Sequence, residues 1–164
     1  MKPKVLVVDD EADFRQLMEY NLAQQDFEVF TAADGLQALN EARRILPDVI
    51  LLDLMLPDLD GFTVCQLLRA QPSTSDVAVI IVSALSGQTV SAQGLSLGVA
   101  GCLRKPVDLR SLADCVRGAF LRQQEDLATR MTARCHSGED SSAMARSGGD
   151  SRAKSHLDRR RKTA

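Results

Sequence analysis

"VLVVDDE", residues 5 to 11, decides how the rest of the chain is read. Four apolar residues run without a break into Asp9, Asp10 and Glu11. A strand that is apolar at every position is buried on both faces, as in a parallel sheet covered by helices on its two sides. Carboxylates add nothing to such a core. An acidic pair at the end of the strand therefore implies a ligand that seeks negative charge.

Similar apolar runs recur downstream. "KVLVV" (4–8), "FEVFT" (27–31), "DVILL" (48–52) and "VAVIIV" (77–82) read as strands, and "GCLR" (101–104) as a short fifth. Helical spacing separates them: Phe14, Leu17, Met18 and Leu22, then Ala38, Leu39 and Ala42, then Leu67 and Leu68. A fourth helix, "GQTVSAQGLSLG" (87–98), has low propensity because of its glycines and serines. The fifth follows Leu109, Leu112, Val116 and Phe120 and continues through Leu127 and Met131. Alternating strands and helices make this an α/β chain with a doubly wound, five-stranded parallel sheet and right-handed crossovers.

With 164 residues, 45% hydrophobic and 26% charged, the chain can bury one good core. No apolar run approaches the roughly 20 residues that span a bilayer. "MKPKVLVVDD" lacks the apolar stretch and cleavage site of a secretory signal. The expectation is a cytoplasmic protein with no membrane partner. Cys65, Cys102, Cys115 and Cys135 form no C-x-x-C pair, which argues against a zinc site or a disulfide framework.

The net charge of −2 conceals an asymmetry. Residues 1–121 carry 10 Lys and Arg against 16 Asp and Glu, whereas residues 122–164 carry 10 against 6. Beyond Leu121 there is no Val, Ile, Phe, Tyr or Trp. Such a segment cannot bury enough apolar area to offset its ordering entropy. The expected organisation is a domain over 1–122, an extension of the last helix over 123–131, and a disordered, basic Ser/Gly/Arg-rich tail over 132–164.

In doubly wound sheets, ligands bind at the carboxyl ends of the strands. Asp9 and Asp10 follow the first strand, Asp53 the third in "VILLDLMLPDLDG" (49–61), Ser83 the fourth in "VIIVSA" (79–84), and Lys105 the fifth in "CLRKP" (102–106). All converge on one edge. Crowded carboxylates repel unless a cation joins them, and a hard, oxygen-seeking Mg²⁺ suits the cluster. Taken singly, an acidic pair caps a helix, a Lys-Pro sits in a solvated loop, and a strand-end serine bonds locally. The signal is the set.

On these residues the chain, over roughly 3–122, resembles the receiver domain of two-component response regulators. The resemblance implies a flavodoxin-like (βα)5 fold with strand order 2-1-3-4-5 and a phosphorelay switch. It implies that Asp53 is the phosphoacceptor and that Asp9, Asp10, Asp53 and the main-chain carbonyl of Met55 hold Mg²⁺. Ser83 would then donate a hydrogen bond to the phosphoryl group, and Lys105 would pair with its charge. The implied donor is a sensor histidine kinase or a histidine phosphotransfer protein. The output is a downstream protein that the sequence does not name, with room for a homodimer. No other cofactor is implied, and no enzyme activity beyond self-phosphorylation from phosphodonors and slow autodephosphorylation.

Other residues read as structural. Gly61 suits a turn or a close approach, Pro57 and Asp58 shape the same loop, and Phe62, Leu67 and Leu68 read as core. A cis peptide before Pro106 is a further implication of the resemblance. Two departures stand out. Ser83 occupies a position where the family more often has Thr, and Cys102, three residues before Lys105, stands where it usually has a Tyr or Phe reporter.

Rival classes fit poorly. A Mg²⁺-dependent aspartyl-phosphate hydrolase of the haloacid dehalogenase type needs a second acid two positions past its nucleophile, and that position is Met55. A nucleotide-binding domain would carry G-x-x-x-x-G-K-[ST] or G-x-G-x-x-G after the first strand, and neither occurs. A DNA-associated regulator could use the basic tail, but with no helix-turn-helix pattern and no aromatic residue the tail is unsuited to specific nucleic-acid recognition.

Overall fold

The chain runs β1 (Lys4–Val8), α1 (Ala12–Ala23), β2 (Glu28–Ala32), α2 (Gly35–Ile45), β3 (Val49–Asp53), α3 (Gly61–Arg69), β4 (Ala78–Ser83), α4 (Gln88–Ser96), β5 (Gly101–Arg104) and α5 (Leu109–Ser137). The computed structural model describes residues 1–85 and 88–137. All five strands pair in parallel in the order β2-β1-β3-β4-β5. The order reverses beside β1, which opens a crevice at the carboxyl ends of β1 and β3.

The period-2 alternation of the strands sorts the core into two layers. Leu6, Val8, Ile50, Leu52, Val79 and Ile81 face α2 and α3, together with Ala38, Ala42, Val64 and Leu68. Val5, Val7, Val49, Leu51, Ile80 and Val82 face α1 and α5, together with Met18, Leu22, Leu112 and Val116. Every residue of β3 and β4 is buried. Truncating a fully buried residue such as Leu52 to Ala costs about 2–5 kcal/mol.

Two residues expected in the core are not there. Leu17 is 45% and Leu67 is 40% exposed. Successive helical residues turn by about 100°, so Leu67 cannot share the sheet-facing direction of its neighbour Leu68. Met18 and Leu22 take the buried stripe of α1, and Val64, Cys65 and Leu68 that of α3.

Local chemistry sets the helix ends. Asp34 caps α2 by accepting from the Gln37 N–H at 2.7 Å, and Asp60 caps α3 by accepting from the Thr63 N–H at 3.1 Å. Gly61 is a close-approach residue, because a Cβ there would lie 2.4 Å from the Asp53 carbonyl oxygen. Arg69, at the end of α3, donates to the carbonyls of Ser75, Val77, Leu97 and Gly98, tying the approach to β4 to the end of α4.

Met1–Arg130 forms one unit and Met131–Ala164 a second. Of the latter, the last turns of α5 are described. The helix runs to Ser137, past the Met131 at which the sequence reading ended it, and residues 132–137 are helical where a disordered tail was expected. Ala133 and Arg134 are good helix formers, which favours that continuation. The rest of the expected tail lies outside the described residues. Among the described residues, no helix is long and apolar enough to cross a membrane.

Candidate functional site

The crevice at the carboxyl edge gathers the residues singled out from the sequence. Asp9 follows β1 and is buried, and Asp53 and Ser83 are the buried last residues of β3 and β4. Asp10 is exposed at the rim. One carboxylate oxygen from each of Asp9, Asp10 and Asp53 lies within 4.8 Å of the others, a set that could hold a metal ion.

Lys105 reaches into this acidic group from the loop after β5. Its Nζ donates to Asp9 Oδ2 at 2.6 Å and Asp53 Oδ2 at 2.9 Å, with Glu11 Oε1 at 4.0 Å. Its backbone N–H donates to the Ser83 carbonyl at 3.0 Å, which fixes the start of the side chain. The Lys105–Pro106 peptide is cis. Burial alone would lower the Lys105 pKa, but the bonds and charges of Asp53 and Asp9 outweigh it and hold the ammonium above its ordinary value.

At Asp9 burial prevails. Burial pushes the Asp9 carboxyl above its usual range, and the neighbouring Asp53 charge adds to this, against the pull of Lys105 and the Glu11 N–H. A buried carboxylate raised in this way gains from a further cation. The donor set is all oxygen, which fits a hard divalent ion and not a soft one.

Backbone groups orient the oxygens. The Glu11 N–H donates to Asp9 Oδ1 at 2.9 Å, and the Met55 N–H donates to Asp53 Oδ1 at 3.0 Å. Ser83 Oγ accepts from the Leu85 N–H at 3.0 Å, which leaves its own hydroxyl hydrogen free to turn toward the crevice. Met55 and Leu85 stand at the rim, 63% and 51% exposed.

Three neighbours escaped the sequence reading. Arg15 Nη1 donates to the Asp9 carbonyl at 2.6 Å. Phe14, read there as part of the apolar stripe of α1, lies 4.4 Å from Lys105 Nζ at its ring centroid. The available signal was spacing, since Phe14 and Arg15 sit about one helical turn past the acidic pair. Asp58 does more than shape its own loop. Its carboxylate reaches across to the start of α2 and accepts from the N–H groups of Gly35 at 2.7 Å and Leu36 at 2.8 Å.

Comparison with known proteins shows the family. The response regulator receiver domain profile matches residues 5–117. The chain belongs to this family. The receiver is 44% identical over 140 residues to the response regulator PleD of Caulobacter vibrioides, covering 80% of this chain and 31% of PleD. It is 38% identical over 123 residues to the DNA-binding dual master transcriptional regulator RpaA of Synechocystis, covering 75% of this chain and 51% of RpaA. The chain thus spans about a third to a half of these relatives. Among solved structures, the receiver domain of the Francisella response regulator 1452 matches with a TM-score of 0.69 at 33% identity, covering 74% of this chain and 98% of that one. Vibrio cholerae CheY4 matches with a TM-score of 0.68 at 30% identity, covering 71% and 98%. The receiver is therefore a five-stranded, flavodoxin-like domain of a response regulator.

Proposed function

We propose that this receiver is a phosphorelay switch that accepts a phosphoryl group on Asp53. The observation that supports this most is Lys105 Nζ bridging Asp9 and Asp53 within a cluster of three carboxylates. An acceptor carboxylate must approach a phosphorus already surrounded by negative oxygens, so positive charge has to be in place beforehand.

Asp9, Asp10, Asp53 and the Met55 main-chain carbonyl would hold Mg²⁺, whose charge offsets that of the phosphoryl oxygens. An Asp53 carboxylate oxygen attacks the phosphorus of a phosphohistidine. The P–N bond breaks, and its electron pair returns to the imidazole ring. Lys105 neutralises one phosphoryl oxygen, and the Ser83 hydroxyl donates to another. The donor is a sensor histidine kinase or a histidine phosphotransfer protein in the cytoplasm.

Phosphorylation gives Lys105 and the Ser83 hydroxyl a new partner in the phosphoryl oxygens. Their differential contacts shift a pre-existing equilibrium between inactive and active forms, and a downstream protein reads the shift. The chain acts as a switch, with catalysis limited to its own phosphorylation and slow dephosphorylation.

The test is incubation of the full chain with Mg²⁺ and acetyl phosphate, followed by intact mass spectrometry. One added phosphoryl group is expected, and it should be lost in Asp53→Asn, in Asp10→Ala and on chelation. Unchanged labelling of Asp53→Asn contradicts the reading.

A further inference from the structure

Lys105 is held by more than its carboxylates. Its side chain is 15% exposed, two oxygens accept from Nζ, and the Phe14 ring lies under the same ammonium, 4.4 Å away at its centroid. Phe14 projects from the first turn of α1 and packs, half-buried, against the cluster formed by β1, β3, β4, α1 and α5. The apolar cluster thus explains why a large side chain stands there. It does not require an aromatic one.

An aromatic face carries negative potential, and it attracts a cation more strongly where water is largely excluded. This contact differs in kind from those of Asp9 and Asp53. A carboxylate competes with a phosphoryl oxygen for the lysine charge, whereas a neutral ring fixes the ammonium and leaves the charge available. During transfer, Lys105 has to exchange a carboxylate contact for a phosphoryl oxygen without drifting into solvent. The ring provides a contact that persists through that exchange.

We infer that Phe14 is a positioning residue for phosphoryl transfer, holding the Lys105 ammonium beside Asp53 through its ring face. This rests on Asp53 being the acceptor. With acetyl phosphate, an Asp53 oxygen bonds to phosphorus while the bond from phosphorus to the acetate oxygen breaks. Acetate leaves with the electron pair, and no proton transfer is needed. Phe14 takes no part in these bonds and acts through the position of Lys105.

The experiment is a graded one on the full chain. Phenylalanines carrying one, two and three ring fluorines are placed at position 14, alongside Phe14→Tyr and Phe14→Leu. Fluorination weakens the ring potential with little change in shape, so packing and cation binding separate. Two readouts are taken: the rate of phosphorylation by acetyl phosphate at saturating Mg²⁺, and the NMR shift of the Lys105 ε-methylene protons, which a ring beneath them moves upfield.

The rate should fall stepwise with fluorine number. Phe14→Tyr should stay near wild type, and Phe14→Leu should be about three- to tenfold slower and lose the upfield shift. Equal rates across the fluorine series, or a Phe14→Leu rate equal to wild type, would overturn the role of Phe14 while leaving Asp53 as acceptor. A wild-type chain that takes no label overturns the acceptor reading and this inference with it.

Discussion

Asp53 and Ser83 each have a nearby residue whose chemistry should influence how long a phosphoryl group lasts. Met55 and Leu85, two positions past each of them, stand exposed at the rim and are both apolar, so neither can orient an attacking water. Dephosphorylation should be slow. Met55→Asn or Met55→Glu should change the decay rate of the labelled protein, and equal decay after substitution at both positions would remove this explanation. Ser83→Ala should slow phosphorylation by roughly tenfold, the loss of one hydrogen bond to a charged group, whereas Ser83→Thr should retain the rate. The proposed metal ligands predict a stability effect as well. Mg²⁺ held by the folded acidic cluster, as proposed, would have no such site in the unfolded chain, so it should raise the melting temperature of wild type. Asp10→Ala should lose most of that rise. Much of the site was legible at this scale, because Asp9, Asp53, Ser83 and Lys105 each end or follow a strand whose apolar run marks its position. Phe14 was not, since the spacing that puts an aromatic on a helix's buried stripe is the same whether it packs on leucines or under a lysine.

Two elements depend on contacts that cross the sequence. The Asp58 carboxylate serves the start of α2, more than twenty residues earlier in the chain. Burial would raise its pKa, but the N–H groups of Gly35, Leu36 and Leu59 outweigh that and hold it below the usual carboxylate range. A depressed folded pKa means that the contribution is fully present above the unfolded value of about 4 and is lost as pH falls through the lower folded one. The gap in melting temperature between wild type and Asp58→Ala should therefore be full at neutral pH and narrow below about pH 4. A gap that is constant across this range would assign Asp58 a role that does not depend on its charge. α4 concerns output. Cys102 is exposed on β5, and its sulfur would lie 3.7 Å from a Cβ added to Gly94 of α4. A side chain this small cannot fill the space that a serine vacates on turning toward a phosphoryl group, nor carry that change to the surface. The response should therefore travel through α4, whose glycine and serines make rearrangement inexpensive. Hydrogen exchange with an acyl-phosphate mimic should change protection over residues 92–100 more than in β5 and α5. Protection changes confined to β5 and α5 would contradict this route, and Cys102→Tyr should extend the response toward α5.

At the scale of the whole molecule, the alternation of strands and helices was enough to reach the sheet, and the two faces of β3 and β4 were legible as unbroken apolar runs. The end of α5 was not, because residues past Met131 have helix propensity without the apolar stripe by which a helix is recognised. Nor was the bracing by Arg69, whose four carbonyl partners come from segments six to twenty-nine residues away and carry no side-chain signature. Arg69→Ala should lower stability by about 3 kcal/mol in chemical denaturation, since it removes bonds to four carbonyls, three of them partly buried. The composition of 138–164, which has no Val, Ile, Phe, Tyr or Trp, predicts that its removal barely moves the melting temperature and leaves phosphorylation intact. A loss of several degrees would mean that this segment contributes to the fold. The proposed switch turns on one carboxylate. After reaction with acetyl phosphate and Mg²⁺, reduction of the acyl phosphate with borohydride converts the labelled aspartate to homoserine, which peptide mass spectrometry locates. Homoserine at position 53 and at no other aspartate is the predicted result, and homoserine elsewhere with Asp53 intact would contradict it.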